Sequence, residues 1–221
     1  MRNYGNTCYF NSALQCLKRI SCVPDDHWEL LCRFRTRFSQ FTAGPPHDAQ
    51  EALMCLIDLL DTKDIQGTML QEVVCRAGTI RTEVLTTVVS VSGETCTTLG
   101  ECLTKYQTWT QINGYTDTWG TTHNVSAFRT IFWKLPKFFI VSLNQKMFVT
   151  VSEILEINGA EYELVASCIH LGNEDGGHYV ALIKELTGWF LKDDERNIEL
   201  EGFPCRHTHY IVFYKLLNSC G

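Results

Sequence analysis

No run of apolar residues in this chain reaches the roughly 20 positions that a membrane-spanning helix needs. The start, Met1-Arg2-Asn3-Tyr4-Gly5, lacks the apolar core of a secretory signal. A basic excess is missing too, since the formal net charge is −6. Nucleic-acid binders usually carry a basic face, so that class is disfavoured, whereas a basic protein partner fits the balance. Repeats, low-complexity segments and a clear linker are absent. The 221 residues suffice for one large domain or two small ones, and 45% apolar content excludes a disordered chain.

Cysteine is abundant instead. There are 11, an odd number, and several (Cys16, Cys55, Cys168) fall inside apolar periodic segments. Without a secretory route they read as reduced thiols of a cytoplasmic or nuclear protein with no membrane attachment. For the same reason Asn124-Val125-Ser126 reads as a chance glycosylation sequon.

Phe10, Ala13, Leu14 and Leu17 recur at helical spacing and predict a helix over 7–20, with Thr7 as its N-cap. A basic stretch, Arg33 to Arg37, precedes the loop Gly44-Pro45-Pro46-His47. A second helix is predicted from Asp48 to Leu60, so the first 65 or so residues read as mainly helical. Val84 to Ser92 is rich in β-branched residues, and Leu99 to Tyr106 reads as a short helix. Phe138 to Leu143, Tyr162 to Leu171, His178 to Lys184, Gly188 to Leu191 and Tyr210 to Leu216 read as strands. Residues 107–127 give no clear pattern. Helices first and strands later predict an α+β arrangement.

Chemistry is concentrated at the two ends. A cysteine attacks as its thiolate, and a free thiol has a pKa of about 8.5. Cys8 falls in the first turn of the first predicted helix, where the dipole and unpaired N–H groups favour negative charge. His178 follows the paired glycines Gly176 and Gly177 and leads the alternating run Tyr179-Val180-Ala181-Leu182, a strand able to hold the ring. Asp193, from a neighbouring strand, could fix the imidazole tautomer. Asn3 could supply an oxyanion-hole N–H, with the main-chain N–H of Cys8 as a second donor. Singly, a cysteine at a helix start is usually a core residue and a histidine in a strand a structural hydrogen-bonder. Together they describe a Cys/His/Asp thiol hydrolase.

The run Asn3-Tyr4-Gly5-Asn6-Thr7-Cys8-Tyr9-Phe10-Asn11-Ser12-Ala13-Leu14-Gln15-Cys16-Leu17 resembles the Cys box of the ubiquitin-specific proteases. Asp48-Ala49-Gln50-Glu51 resembles that family's Gln-Asp-Ala-x-Glu motif, and Leu135 to Leu143 the strand entering its palm. Tyr162 to Ala166, Gly176 to Ala181 and Trp189 to Asp194 resemble its His box, and Tyr210 to Tyr214 its last strand. The resemblance implies a papain-like cysteine protease fold of the USP type. Its helical thumb would cover about 1–70, reduced fingers and connecting segments 71–134, and a β-rich palm 135–221. It implies Cys8 as nucleophile, His178 as base and Asp193 as the residue orienting it, with Asn3 in the oxyanion hole and Asp194 assisting. It also implies that Asp48 and Glu51 receive the basic tail of ubiquitin, and that Gly176, Gly177 and Tyr179 wall a slot that admits only Gly-Gly. The partner would be ubiquitin or a ubiquitin-like protein and its conjugates. The chain would act as a monomer without a cofactor.

Three departures stand out. The family's fingers usually carry two Cys-x-x-Cys pairs on a zinc ribbon. Here Cys75 remains from the first pair, the second should fall near Tyr115 to Gly120 where no cysteine occurs, and Cys96 and Cys102 do not restore it. No structural zinc is expected. Cys205, His207 and His209 could share one strand face and offer metal ligands, although a plain loop-to-strand segment is the simpler reading. His47 stands where the family usually has Gln. The chain also begins almost at the Cys box, which fits a reduced domain of a divergent member or one cut from a viral polyprotein. Three alternatives stay open: a deconjugase of a ubiquitin-like modifier such as the interferon-induced one, an inactive ubiquitin-binding module, and a zinc-binding scaffold. The intact Cys8, His178, Asp193 and Asn3 argue against the second, and the missing ligands against the third.

Overall fold

A computed structural model describes residues 1–92, 96–143, 149–173, 176–205 and 208–217. The chain opens with three helices, α1 (Cys8–Leu17), α2 (His27–Arg37) and α3 (Ala49–Leu60). Strands β1 (Gly67–Cys75), β2 (Gly78–Thr86) and β3 (Val88–Val91) lead to helix α4 (Leu99–Tyr106). Then come β4 (Thr110–Thr116), β5 (Thr122–Lys134), β6 (Phe138–Leu143), β7 (Ile154–Ile157), β8 (Ala160–Asn173), β9 (Gly176–Glu185), β10 (Gly188–Asp193), β11 (Arg196–Leu200) and β12 (His209–Leu216). This is the α+β arrangement expected. No helix among the described residues is long and apolar enough to cross a membrane.

Helix α1 is apolar on nearly every side because it is wrapped. Tyr9, Phe10, Ala13, Leu14, Cys16 and Leu17 are all buried, and the helix packs on α3 and β9. It is shorter than expected, ending at Leu17 with a tightened exit turn. Thr7 holds the N-cap position, but its hydroxyl caps nothing. That side chain turns back into the preceding loop, accepting from Tyr4 N at 3.0 Å and approaching Asn3 Oδ1 at 3.3 Å.

Helix α2 has no counterpart among the expected elements. Its Arg-rich second half hides a narrow apolar stripe, Leu30, Leu31 and Phe34, which docks into the same core. Asp26 caps it by accepting from Glu29 N at 2.9 Å.

An eight-stranded sheet runs β11-β10-β9-β8-β12-β6-β3, with β7 alongside β8. Both of its faces are covered. Ile140, Ala166, Ala181, Ile211 and Phe213 face the three helices, while Val141, Leu164, Leu182, Val212 and Tyr214 face a second core with α4. Burial on both faces explains why β6 and β12 are near-continuous apolar runs rather than alternating ones. A four-stranded antiparallel sheet, β2-β1-β5-β4, forms a separate layer. The β-rich run Val84 to Ser92 is therefore two strands in two sheets, broken at Thr87. The unpatterned stretch 107–127 holds β4 and the start of β5. They form a hairpin whose outward residues are mostly exposed, which removes the alternation.

Two polar clusters hold the smaller sheet. Glu72 lies opposite both Arg81 and Arg129 in the strand register, and accepts from their Nε atoms at 2.6 and 2.5 Å. The Arg81 and then the Arg129 bonds hold its carboxyl below the usual range. At the β4–β5 tip, where the second cysteine pair was sought, Asp117 Oδ2 lies 2.9 Å from His123 Nε2. Asp117 Oδ1 accepts from Trp119 N and Thr121 N, each at 2.9 Å. The possible metal-ligand face at residues 205, 207 and 209 falls partly outside the described residues, and the described part is the simpler loop-to-strand segment. Cys205 lies in a turn before β12, and His207 lies outside the described residues. His209 is buried, its Nδ1 2.8 Å from Ser167 Oγ and its Nε2 3.1 Å from Pro204 O.

The Asp117–His123 contact foremost lowers the Asp117 carboxyl below its ordinary range. A carboxyl depressed on folding contributes stability above its unfolded pKa, and that stability is lost as pH falls through the folded value. The β4–β5 tip should therefore stay intact in mild acid and loosen only below the ordinary aspartate range, read by hydrogen exchange at low pH, and Asp117→Ala should be cleaved there by protease already at neutral pH. The purified protein should contain far less than one zinc per chain by elemental analysis, with a melting temperature that chelators leave unchanged. Stoichiometric zinc would show that the tip is not held by side chains alone.

Candidate active site

The N-terminus of α1 faces the start of β9. Cys8 is half-buried there. Burial raises the Cys8 thiol above its ordinary pKa, and the Asp194 carboxylate adds to the rise. The main-chain N–H of Tyr179 opposes this, as do those of Tyr9 and Cys8 itself. Because Thr7 does not cap the helix, these first-turn donors stay directed at the sulfur.

His178 lies one residue before Tyr179, paired with Leu171 across β8–β9. Its Nε2 is 2.6 Å from Asp193 Oδ1. The β9–β10 register runs from Gly188↔Glu185 to Lys192↔Ala181, which carries Asp193, the last residue of β10, toward the His178 end of β9. With Nε2 held by a carboxylate, Nδ1 is the ring nitrogen left to exchange a proton with a thiol. The strands thus bring His178 and Asp193 together, and α1 places Cys8 at the backbone of Tyr179, the residue after His178.

Asn3 has its amide fixed on both sides. Oδ1 accepts from Gly5 N at 3.0 Å and Thr7 N at 3.2 Å, while Nδ2 donates to Asp194 Oδ2 at 2.8 Å. One Nδ2 hydrogen is thereby committed, and a second remains to be donated. Asp194 sits at φ 49°, a left-handed conformation that Asp tolerates better than most residues. His178, Asp193 and Asp194 place one ligand atom each within 4.8 Å of one another, so the same cluster could in principle hold a cation.

Asp48 is more occupied than expected for a substrate acid. Its Oδ1 caps α3, accepting from Gln50 N at 2.8 Å and Glu51 N at 3.0 Å. Its Oδ2 accepts from Tyr210 Oη at 2.7 Å and Tyr179 Oη at 3.3 Å, tying α3 to β12 and β9. Glu51 is exposed one turn on. Tyr179 is buried, and burial, with Asp48 next, keeps its hydroxyl protonated. Gly176 has open space where a Cβ would stand. Gly177 does not: a Cβ there would lie 2.1 Å from His170 Nε2 and 2.8 Å from Leu171 O. The space that Gly177 spares is thus filled by a ring of the protein itself, and His170 packs against Tyr179 with ring centroids 4.6 Å apart, tilted by 40°.

No sequence pattern marks the polar roles of Asn11, Tyr210 and His170. Asn11 carries only a general signal: it is a carboxamide on a helix otherwise apolar all round, and buried polar groups need partners.

Gly177→Ala should push His170 off Tyr179. Overpacking of about 1–3 kcal/mol would lower the melting temperature by a few degrees. His170→Ala should restore most of that loss in the double variant, giving a large coupling in the cycle. Additive losses would mean that the Leu171 carbonyl, not the ring, demands the glycine.

A family model described as ubiquitin carboxyl-terminal hydrolase matches residues 22–214, starting after α1. Ubiquitin carboxyl-terminal hydrolase 21 of Rattus norvegicus is 32% identical over 65 residues, which is 29% of this chain and 12% of that protein. Among solved structures, the SAGA Ubp8/Sgf11/Sus1/Sgf73 DUB module bound to ubiquitin aldehyde superimposes with a TM-score of 0.80. It is 17% identical, over 99% of this chain and 69% of that one. The module bound to monoubiquitin gives 0.80 at 16% identity, again over 99% of this chain and 69% of its counterpart. These likenesses are of fold, and the papain-like USP architecture follows from them.

Proposed function

Since the chain belongs to the ubiquitin carboxyl-terminal hydrolase family, we propose that it is a cysteine-type deubiquitinase, cleaving the bond after a C-terminal Gly-Gly. The observation that carries this reading is the short His178–Asp193 contact, with Cys8 placed beside the next residue of the same strand. In this reading residues 1–70 act as thumb, 71–134 as reduced fingers and 135–221 as palm.

The raised thiol pKa means that Cys8 needs a base. His178 Nδ1 takes the thiol proton as Sγ attacks the carbonyl carbon, and Asp193 stabilises the imidazolium that forms. Negative charge on the carbonyl oxygen meets the second Nδ2 hydrogen of Asn3 and the N–H of Cys8. Collapse expels the amine, which takes the proton from His178 and leaves a thioester. Water, deprotonated by the same ring, then releases the carboxylate. Asp48 serves the slot by pinning Tyr179 and Tyr210, while the exposed Glu51 meets the basic tail.

Incubation with ubiquitin carrying a thiol-reactive C-terminus should label Cys8 alone, and Cys8→Ala should remove labelling and hydrolysis together. The loss should be several orders of magnitude. Survival within about tenfold would place the chemistry on another thiol. A parallel probe built on a ubiquitin-like modifier ending in Gly-Gly tells the two substrate classes apart.

Glu51→Ala should raise KM severalfold, less so at high salt because part of the effect is charge attraction. Asp48→Ala should instead lower the melting temperature, since it removes a helix cap worth about 0.5–2 kcal/mol. The reverse pattern would exchange their roles.

A further inference from the structure

Asn11 lies one turn after Cys8 and is 4% exposed. Its Nδ2 donates to Arg2 O at 3.1 Å and to Asp194 Oδ1 at 2.7 Å. Two donors on one buried amide are thus both used, one on a carboxylate, the stronger kind of bond. The other oxygen of that carboxylate receives Asn3 Nδ2 at 2.8 Å. Asn3 Oδ1 is held separately by Gly5 N and Thr7 N, which fixes which end of its amide faces Asp194. Asp194 keeps a left-handed φ of 49°, a conformation that Asp tolerates and that the bonds from Asn3 and Asn11 hold in place.

We propose that Asn11 is a positioning residue for the oxyanion site, a clamp that acts through Asp194 to aim the remaining N–H of Asn3. This rests on the deubiquitinase reading for the role of Asn3, while the clamp itself rests on the hydrogen bonds. One side chain on α1 ties down the arm before the helix, at Arg2, and the turn after β10, at Asp194. The arm also reaches that turn directly, the Met1 amine donating to the Asp194 carbonyl and Asn3 to its carboxylate, and Asn11 is the side chain that fixes both segments to α1. Asn3 depends on that alignment twice, because it belongs to the arm and bonds to the turn.

The test is a double-mutant cycle on the full chain with a ubiquitin C-terminal amide substrate. Asn11→Leu keeps the branched outline, with somewhat more bulk, and removes both donors. It should lower kcat about tenfold or more with KM within about threefold, while the iodoacetamide reactivity of Cys8 stays near wild type. Because the clamp acts through Asn3, adding Asn11→Leu to Asn3→Ala should cost little further. Equal losses in both backgrounds, or a fall in melting temperature without a fall in kcat, would overturn the clamp. Asn11→Ser, which can keep one bond, substitutes if the leucine variant does not fold, and should lose less. An inactive wild type would sink the deubiquitinase reading on its own. The clamp would then be judged by the Asn3 side-chain ¹⁵N–¹H signals: broadening in the Asn11 variant supports it, and unchanged signals refute it.

Discussion

The packing of α1 against β9 is the contact on which the site depends. A thiol near residue 8 and an imidazole at residue 178 have no local reason to meet. They meet because α1 is apolar on most of its circumference and can be buried only between α3 and the large sheet. Burying large side chains such as Tyr9 and Phe10 contributes roughly 1.5–3 kcal/mol each, and their fixed packing sets the helix axis. The same burial raises the pKa of Cys8, so the fold that delivers this thiol to the site also disfavours its thiolate.

Polar groups lock what the core brings together. Asp48 joins α3 to β9 and β12 through two tyrosine hydroxyls, and Asn11 joins α1 to the arm and to the β10–β11 turn. His170 fills the space spared by Gly177. These side chains sit around the reactive groups rather than among them. Half-satisfied, they would cost more than an apolar core, because a buried unpaired donor or acceptor loses water without gaining a partner.

The smaller sheet solves a different problem. It is a thin antiparallel layer with little apolar burial of its own, the situation in which a metal often supplies stability. Here charged pairs take the positions where strands must stay in register. Glu72 sits between two arginines directly across from it on neighbouring strands, and Asp117 organises the β4–β5 tip around His123. A pair so placed favours one register, since a slip of one residue would turn the charges to opposite faces.

The sequence by itself determined most of the architecture and pointed to the proposed reacting groups. Strong helical spacing marked α1 and α3, continuous apolar runs marked β6 and β12, and Cys8, His178 and Asp193 were legible as a set. Elements with weak patterns were not legible. Helix α2 keeps a three-residue stripe amid charge, and β4 and β5 are too exposed to alternate. Tertiary structure alone decided what the polar side chains do. Thr7 has a cap's position but turns into a loop, Asp48 caps α3 and also clasps it to β9 and β12, and Asn11 joins α1 to two distant segments. The physical reason is one of range. Periodicity reports which face of an element is buried, whereas a hydrogen bond between residues 11 and 194 exists only after two distant segments have been packed to within 3 Å.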